Sequence, residues 1–205
     1  MSFFEPPPPP PEPQEHRQPE WVGPPENVLP ASFPLALELA RTDDVAIAAQ
    51  GGLAYPNGFA FRLVLLRRKT IESHAGNPFH HWHHARGELD DEALRFGVQF
   101  SDGRKATVFD HRRRLGDEGK QTGPTLMQRG GSGGGRTWDF GFWVWPLPPD
   151  GPVAFVVEWP SEGIELTRAE IDASIVRAAA EHAETLWPEN DGPSSPGGGV
   201  FSQIR

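Results

Sequence analysis

Residues 136–160 read RTWDFGFWVWPLPPDGPVAFVVEWP and hold four of the seven tryptophans and three of the thirteen phenylalanines. In an extended chain successive side chains point to opposite faces. Trp138, Phe140, Phe142 and Val144 therefore share one face, and Gly141, Trp143 and Trp145 the other. Beyond the turn, Val153, Phe155, Val157 and Trp159 alternate with Ala154, Val156 and Glu158. Pro146, Pro148 and Pro149 end the first strand because proline has no N–H for a ladder. Asp150-Gly151 supplies the reversal. The stretch predicts a hairpin of two strands, apolar on both sides, that needs a cover on each face.

Outward from this stretch the alternation repeats. Leu35, Leu37 and Leu39 precede a turn at Thr42-Asp43-Asp44, and Val45, Ile47 and Ala49 resume the pattern. Tyr55-Pro56-Asn57-Gly58 is a turn signal, and Phe59, Phe61, Leu63 and Leu65 form the next strand. Leu94, Phe96, Val98 and Phe100, then Ser101-Asp102-Gly103, then Val108-Phe109, make a second hairpin. Thr125 to Gln128 is a short strand, which Gly130 to Gly135 joins to the central stretch. One helix is expected near Arg168 to Leu186. Thr167 to Glu170 fits a capping box, Leu166 and Ile171 a hydrophobic staple, and Ile171, Ile175, Ala178, Ala179, His182 and Leu186 one helical stripe. Seven to nine short strands with little helix predict a mainly β chain, an antiparallel β-sandwich with one C-terminal helix packed on an outer face. Ile171, Ile175 and Leu186 are expected to meet the aromatic rings of residues 136–160.

Three regions follow. Residues 1–34 form a Pro-rich arm, with twelve of the 23 prolines and six in succession from Pro6 to Pro11; this composition favours polyproline II and nucleates no core. Residues 35–187 form the sandwich domain, and 188–205 a flexible Gly/Ser/Pro tail. Phe3, Phe4 and Trp21 are apolar anchors in the arm, suited either to lying along the body of the domain or to reaching a protein partner. The net charge is −9, of which the arm carries −4 and the tail −1, leaving about −4 on the body. Such a balance supplies no electrostatic attraction to nucleic acid or anionic lipid. The chain has no cysteine, which excludes disulfides and thiolate ligands. No apolar run approaches the ~20 residues that span a bilayer, and the N-terminal residues lack a secretion signal. A cytoplasmic location is the expectation.

The sites with possible chemistry are few. Gly130-Gly131-Ser132-Gly133-Gly134 matches the letters of a nucleophile elbow, but the elbow needs a strand before its serine and a helix after it; here a strand follows, and a hairpin loop is the better reading. The same run lacks the Gly-Lys-Ser/Thr ending of a phosphate loop. His80, His81, His83 and His84 flank Trp82 within five residues. Imidazole suits zinc and other divalent transition metals. In a short helix begun by Asn77 and Pro78, His80 would share a face with His84, and Glu88 to Glu92 would supply carboxylates. The plainer reading is a polar surface segment around Trp82, with no cofactor. Clustered tryptophans admit either core packing or an exposed ridge for carbohydrate or another ligand.

The run at 137–160, followed by GIELTRAEID at 163–172, resembles a group of uncharacterised proteins from high-GC Gram-positive bacteria, over much of the body and into the Pro-rich beginning. The resemblance implies no activity and no catalytic residue. The leading expectation is a non-enzymatic protein-binding or accessory module with a protein partner not specified by the sequence. A metal-dependent enzyme built on the histidines, and a carbohydrate- or ligand-binding sandwich with exposed tryptophans, are the alternatives.

Overall fold

The computed structural model describes residues 18–71, 90–110 and 123–187. The fold is mainly β, as expected. Among the described residues ten strands follow in chain order: β1 (Val28–Leu29), β2 (Ala31–Arg41), β3 (Val45–Tyr55), β4 (Gly58–Ile71), β5 (Arg95–Gln99), β6 (Lys105–Thr107), β7 (Thr125–Trp145), β8 (Pro152–Trp159), β9 (Ile164–Asp172) and β10 (Glu184–Thr185). One sheet has the order β2-β3-β4-β7 and the other β6-β5-β8-β9, while β1 and β10 form a small ribbon. Every pairing is antiparallel. β1 and the first four residues of β2, Ala31 to Pro34, lie within what the sequence suggested was arm, so the folded body starts before Leu35.

Turn chemistry places the hairpins where the sequence predicts them. The Thr42 hydroxyl accepts from the Val45 amide at 3.2 Å, closing β2 onto β3. Tyr55 pairs with Gly58 across Pro56-Asn57. Gly58 is required there, because a Cβ would stand 2.4 Å from the Val144 carbonyl oxygen and 2.6 Å from the Trp143 ring. Between β5 and β6, Gly103 takes φ 85°, and Asp102 accepts from the Arg104 amide at 3.0 Å.

The two strands of residues 136–160 are present but do not form a hairpin. β7 pairs with β4, from Phe59↔Val144 to Leu66↔Thr137, whereas β8 pairs with β5 and β9. Residues 146–151 carry the chain from one sheet to the other, a gap of ~10 Å in face-to-face sheets. Trp138, Phe140, Phe142 and Val144 thus enter the same core as Val153, Phe155, Val157 and Trp159 from the opposite side. Phe61 stands at the centre. Its ring stacks on Phe142 at 5.7 Å and meets Phe155 and Phe96 of the other sheet edge-on at 5.2 and 6.0 Å.

β7 also doubles back on itself. A Cβ on Gly141 would stand 3.6 Å from the Arg129 carbonyl oxygen, one on Gly131 would stand 3.1 Å from that of Asp139, and one on Gly133 would stand 2.7 Å from the Trp138 Cα. The partner numbers fall as the chain advances, so the halves are antiparallel, and Gly135 with φ 65° sits at the reversal. Ser132 is an exposed strand residue of this hairpin, so the glycine run expected as a loop is itself strand.

The helical expectation needs correction. Residues 164–172 are strand: Thr167 pairs with Val157 and Glu170 with Ala154. Period-2 alternation was present there, with Thr167, Ala169 and Ile171 half-buried and Arg168, Glu170 and Asp172 exposed. A capping box contributes about 1 kcal/mol locally, and the ladder along β8 outweighs it. Helix α1 spans only Ala173–Ala180 and packs on β2 and β3. It buries Ala173, Val176 and Ala180. Ile171, in β9, and Ile175, on the short helix, are half-buried against the core, whereas Leu186 is exposed, so the three do not form one helical stripe. The helix is docked to the crossing loop instead, where the Ala173 amide donates to the Gly151 carbonyl at 2.9 Å and Arg177 pairs with Asp150 at 3.2 Å.

Asp172 is the true N-cap, accepting from the Ser174 amide at 2.8 Å. That backbone hydrogen bond holds its carboxyl below the ordinary aspartate range. A depressed folded pKa contributes stability that is present above the unfolded pKa and lost as pH falls through the folded one. Between pH 7 and pH 3, Asp172→Asn is expected to lose less melting temperature than the native chain. Equal losses would show that the cap carboxylate contributes nothing to acid sensitivity.

Candidate functional site

The outer faces of the two sheets differ in chemistry. On the β6-β5-β8-β9 sheet charged pairs flank the outward Ala154 and Val156. Arg95 bonds Glu158 at 2.8 Å, and Arg168 bonds Gln99 at 2.6 Å and Glu170 at 2.7 Å. On the β2-β3-β4-β7 sheet, Phe59, Phe61, Leu63 and Leu65 point inward, so Ala60, Arg62, Val64 and Leu66 point out. Their register partners extend an apolar surface: Leu53 beside Ala60, Ala48 beside Val64 and Ala46 beside Leu66. Leu53 is 38% and Leu66 47% exposed. The charges on this face include Arg41, in register with Ala46 and paired with Glu38, and the pair Arg62–Asp139, 3.1 Å apart.

One end of this face is already occupied by the chain itself. Trp143 points outward from β7 yet is fully buried, because residues 20–24 lie across it. Its indole N–H donates to the Glu20 carbonyl at 2.9 Å, and that of Trp145 reaches the Glu20 carboxylate at 3.4 Å. The Thr125 hydroxyl donates to the Trp21 carbonyl at 3.0 Å and the Arg129 guanidinium to that of Val22 at 3.4 Å. Gly23 makes room for this guanidinium, which lies 2.9 Å from where a Cβ would stand. Side-chain donors on one hairpin thus read the backbone of a segment flanked by Pro19, Pro24 and Pro25. Tyr55 meets the Trp143 ring edge-on at 5.4 Å, and its burial raises the phenol pKa.

Beside the seated segment a cleft of about 230 Å³ remains open, walled by Pro24, Leu53 and Trp143, floored by Ala60 and Gly141 and flanked by Arg62 and Arg129. Arg129 makes no ion pair among the described residues. At the far end of the sheet a second arginine is structural. Arg67 lies 5.1 Å from the Trp159 ring and 6.0 Å from that of Trp138, and pairs with Glu162 at 2.6 Å. It ties the two sheets together.

Trp21, expected as a partner anchor, is half-buried, with its backbone held by Thr125. Phe3, Phe4, His80, His81, His83 and His84 lie outside the described residues. Among the described residues no three His, Asp or Glu side chains are grouped to hold a metal, and no helix is long and apolar enough to cross a membrane. Trp143 is buried and Trp145 half-buried, so these two do not form an exposed aromatic ridge. Sequence reasoning recognised two-sided hydrophobicity at Trp143 but not its cover. The signal was present as Pro19-Glu20-Trp21 followed by Gly23-Pro24, an apolar turn inside a polar arm. No protein-family model matches the chain, and neither a curated protein nor a solved structure is significantly similar to it.

Proposed function

We propose that the chain is a non-enzymatic protein-binding or accessory module that docks a partner on the outer face of its β2-β3-β4-β7 sheet. The observation that supports this reading is the contrast between the two outer faces. Antiparallel sheets ordinarily keep a polar solvent face, as the β6-β5-β8-β9 sheet does. The other sheet offers Leu53, Leu66 and half-buried alanines around the buried Val64, the kind of apolar patch that marks interaction surfaces. Its rows of small side chains suit contact with a protein surface.

Leu66→Glu places a charge at one end of this patch, opposite the Leu53 end, without touching the core. Cross-linking in extracts of cells that make the protein, followed by mass spectrometry, is expected to recover a specific protein at least tenfold less with Leu66→Glu than with the native chain, at unchanged melting temperature. Equal recovery, or none with either chain, would refute the reading.

A further inference from the structure

We infer that the open cleft beside Trp143 takes an acidic, proline-rich extended segment of the partner protein, a proposal that rests on the docking reading above and adds the chemistry of the occupant. Two observations carry it. The cleft is continuous with the seated segment, since Pro24 forms one of its walls. The surface there already holds a chain flanked by prolines through side-chain donors aimed at carbonyl oxygens, from Trp143 to Glu20 and from Thr125 to Trp21. Proline-rich chains suit such grooves because they carry few N–H groups, keep their carbonyls free to accept, and lose little entropy on binding. The second observation is charge. Walls of leucine, proline and tryptophan and a floor of glycine and alanine give an apolar slot, and its rim carries two guanidiniums. Asp139 neutralises Arg62 at 3.1 Å, while among the described residues Arg129 is bound only through the Val22 carbonyl. Arg129 is thus left to pair with a carboxylate entering beside Pro24, as Glu20 pairs with the neighbouring Trp145 indole at 3.4 Å.

The probes are two fluorescein-labelled peptides of proline with one central leucine, one carrying glutamates and the other lysines in their place. Anisotropy with the full chain is expected to show the glutamate peptide binding at least tenfold tighter. Arg129→Glu should weaken it at least tenfold. Asp139→Asn, which releases Arg62, should tighten it several-fold, a gain that a misfolded variant does not produce. Because the chain has no cysteine, Leu53→Cys carries a benzophenone at a single position on the cleft wall, and the glutamate peptide should be cross-linked there. Equal binding of the two peptides, no binding, or capture of residues 1–17 or of a second copy would overturn the inference. Sensitivity of partner recovery to Leu66→Glu is read separately, so a wrong occupant is distinguishable from a wrong surface.

Discussion

Phe61→Ala is expected to destabilise the fold by about 3–5 kcal/mol, the range for truncating a buried phenylalanine. Phe61 is 2% exposed, and its ring meets Phe142 on its own sheet and Phe96 and Phe155 on the other. Removing it leaves a void that neither sheet can close alone, because each is held flat by its ladder. Such a loss is a large share of the ~5–15 kcal/mol by which domains are stable. Phe61→Leu keeps most of the volume and should cost less than half as much. Urea unfolding of the three chains measures both. A loss under about 1 kcal/mol for Phe61→Ala would mean that the two sheets do not pack on each other through this ring.

The second large effect belongs to Trp143, which is fully buried although it leaves its sheet on the outer side. Trp143→Ala should cost about 3–5 kcal/mol. Trp143→Phe keeps the ring contact with Tyr55 but removes the N–H that binds the Glu20 carbonyl at 2.9 Å, and should cost about 0.5–1.5 kcal/mol. Both should loosen residues 20–24 before the rest of the fold, because this segment is held by side chains and not by a ladder. Cleavage after Glu20 by a glutamate-specific protease is expected to accelerate at least tenfold in Trp143→Ala. Full destabilisation with unchanged cleavage at Glu20 would show that the ring supports the sheet but does not anchor the segment.

Much of this architecture was legible in the chain because strands and turns are written in local chemistry. The alternation at Val45 to Ala49 and at Phe59 to Leu65 assigned inner and outer faces, and Tyr55 to Gly58 and Ser101 to Gly103 placed reversals where they occur. The candidate site was legible in one respect only: the hydrophobicity on both sides of Trp143 demanded a cover.

Which element meets which was decided by tertiary structure. Alternation looks the same whether two successive strands pair side by side or face each other across a core, so residues 136–160 read as a hairpin although β7 and β8 belong to different sheets. The same competition settled residues 164–172. A capping box is a contact between residues three apart, while the β9 ladder joins Ile164–Asp172 to a strand on the other side of a turn, and the sum of non-local pairs exceeded the local preference. The cover of Trp143 is likewise non-local, linking Glu20 to a residue more than a hundred positions away. By itself the sequence determined a two-faced β chain with its turns; the packing of distant segments decided which apolar face was buried and which was left partly exposed.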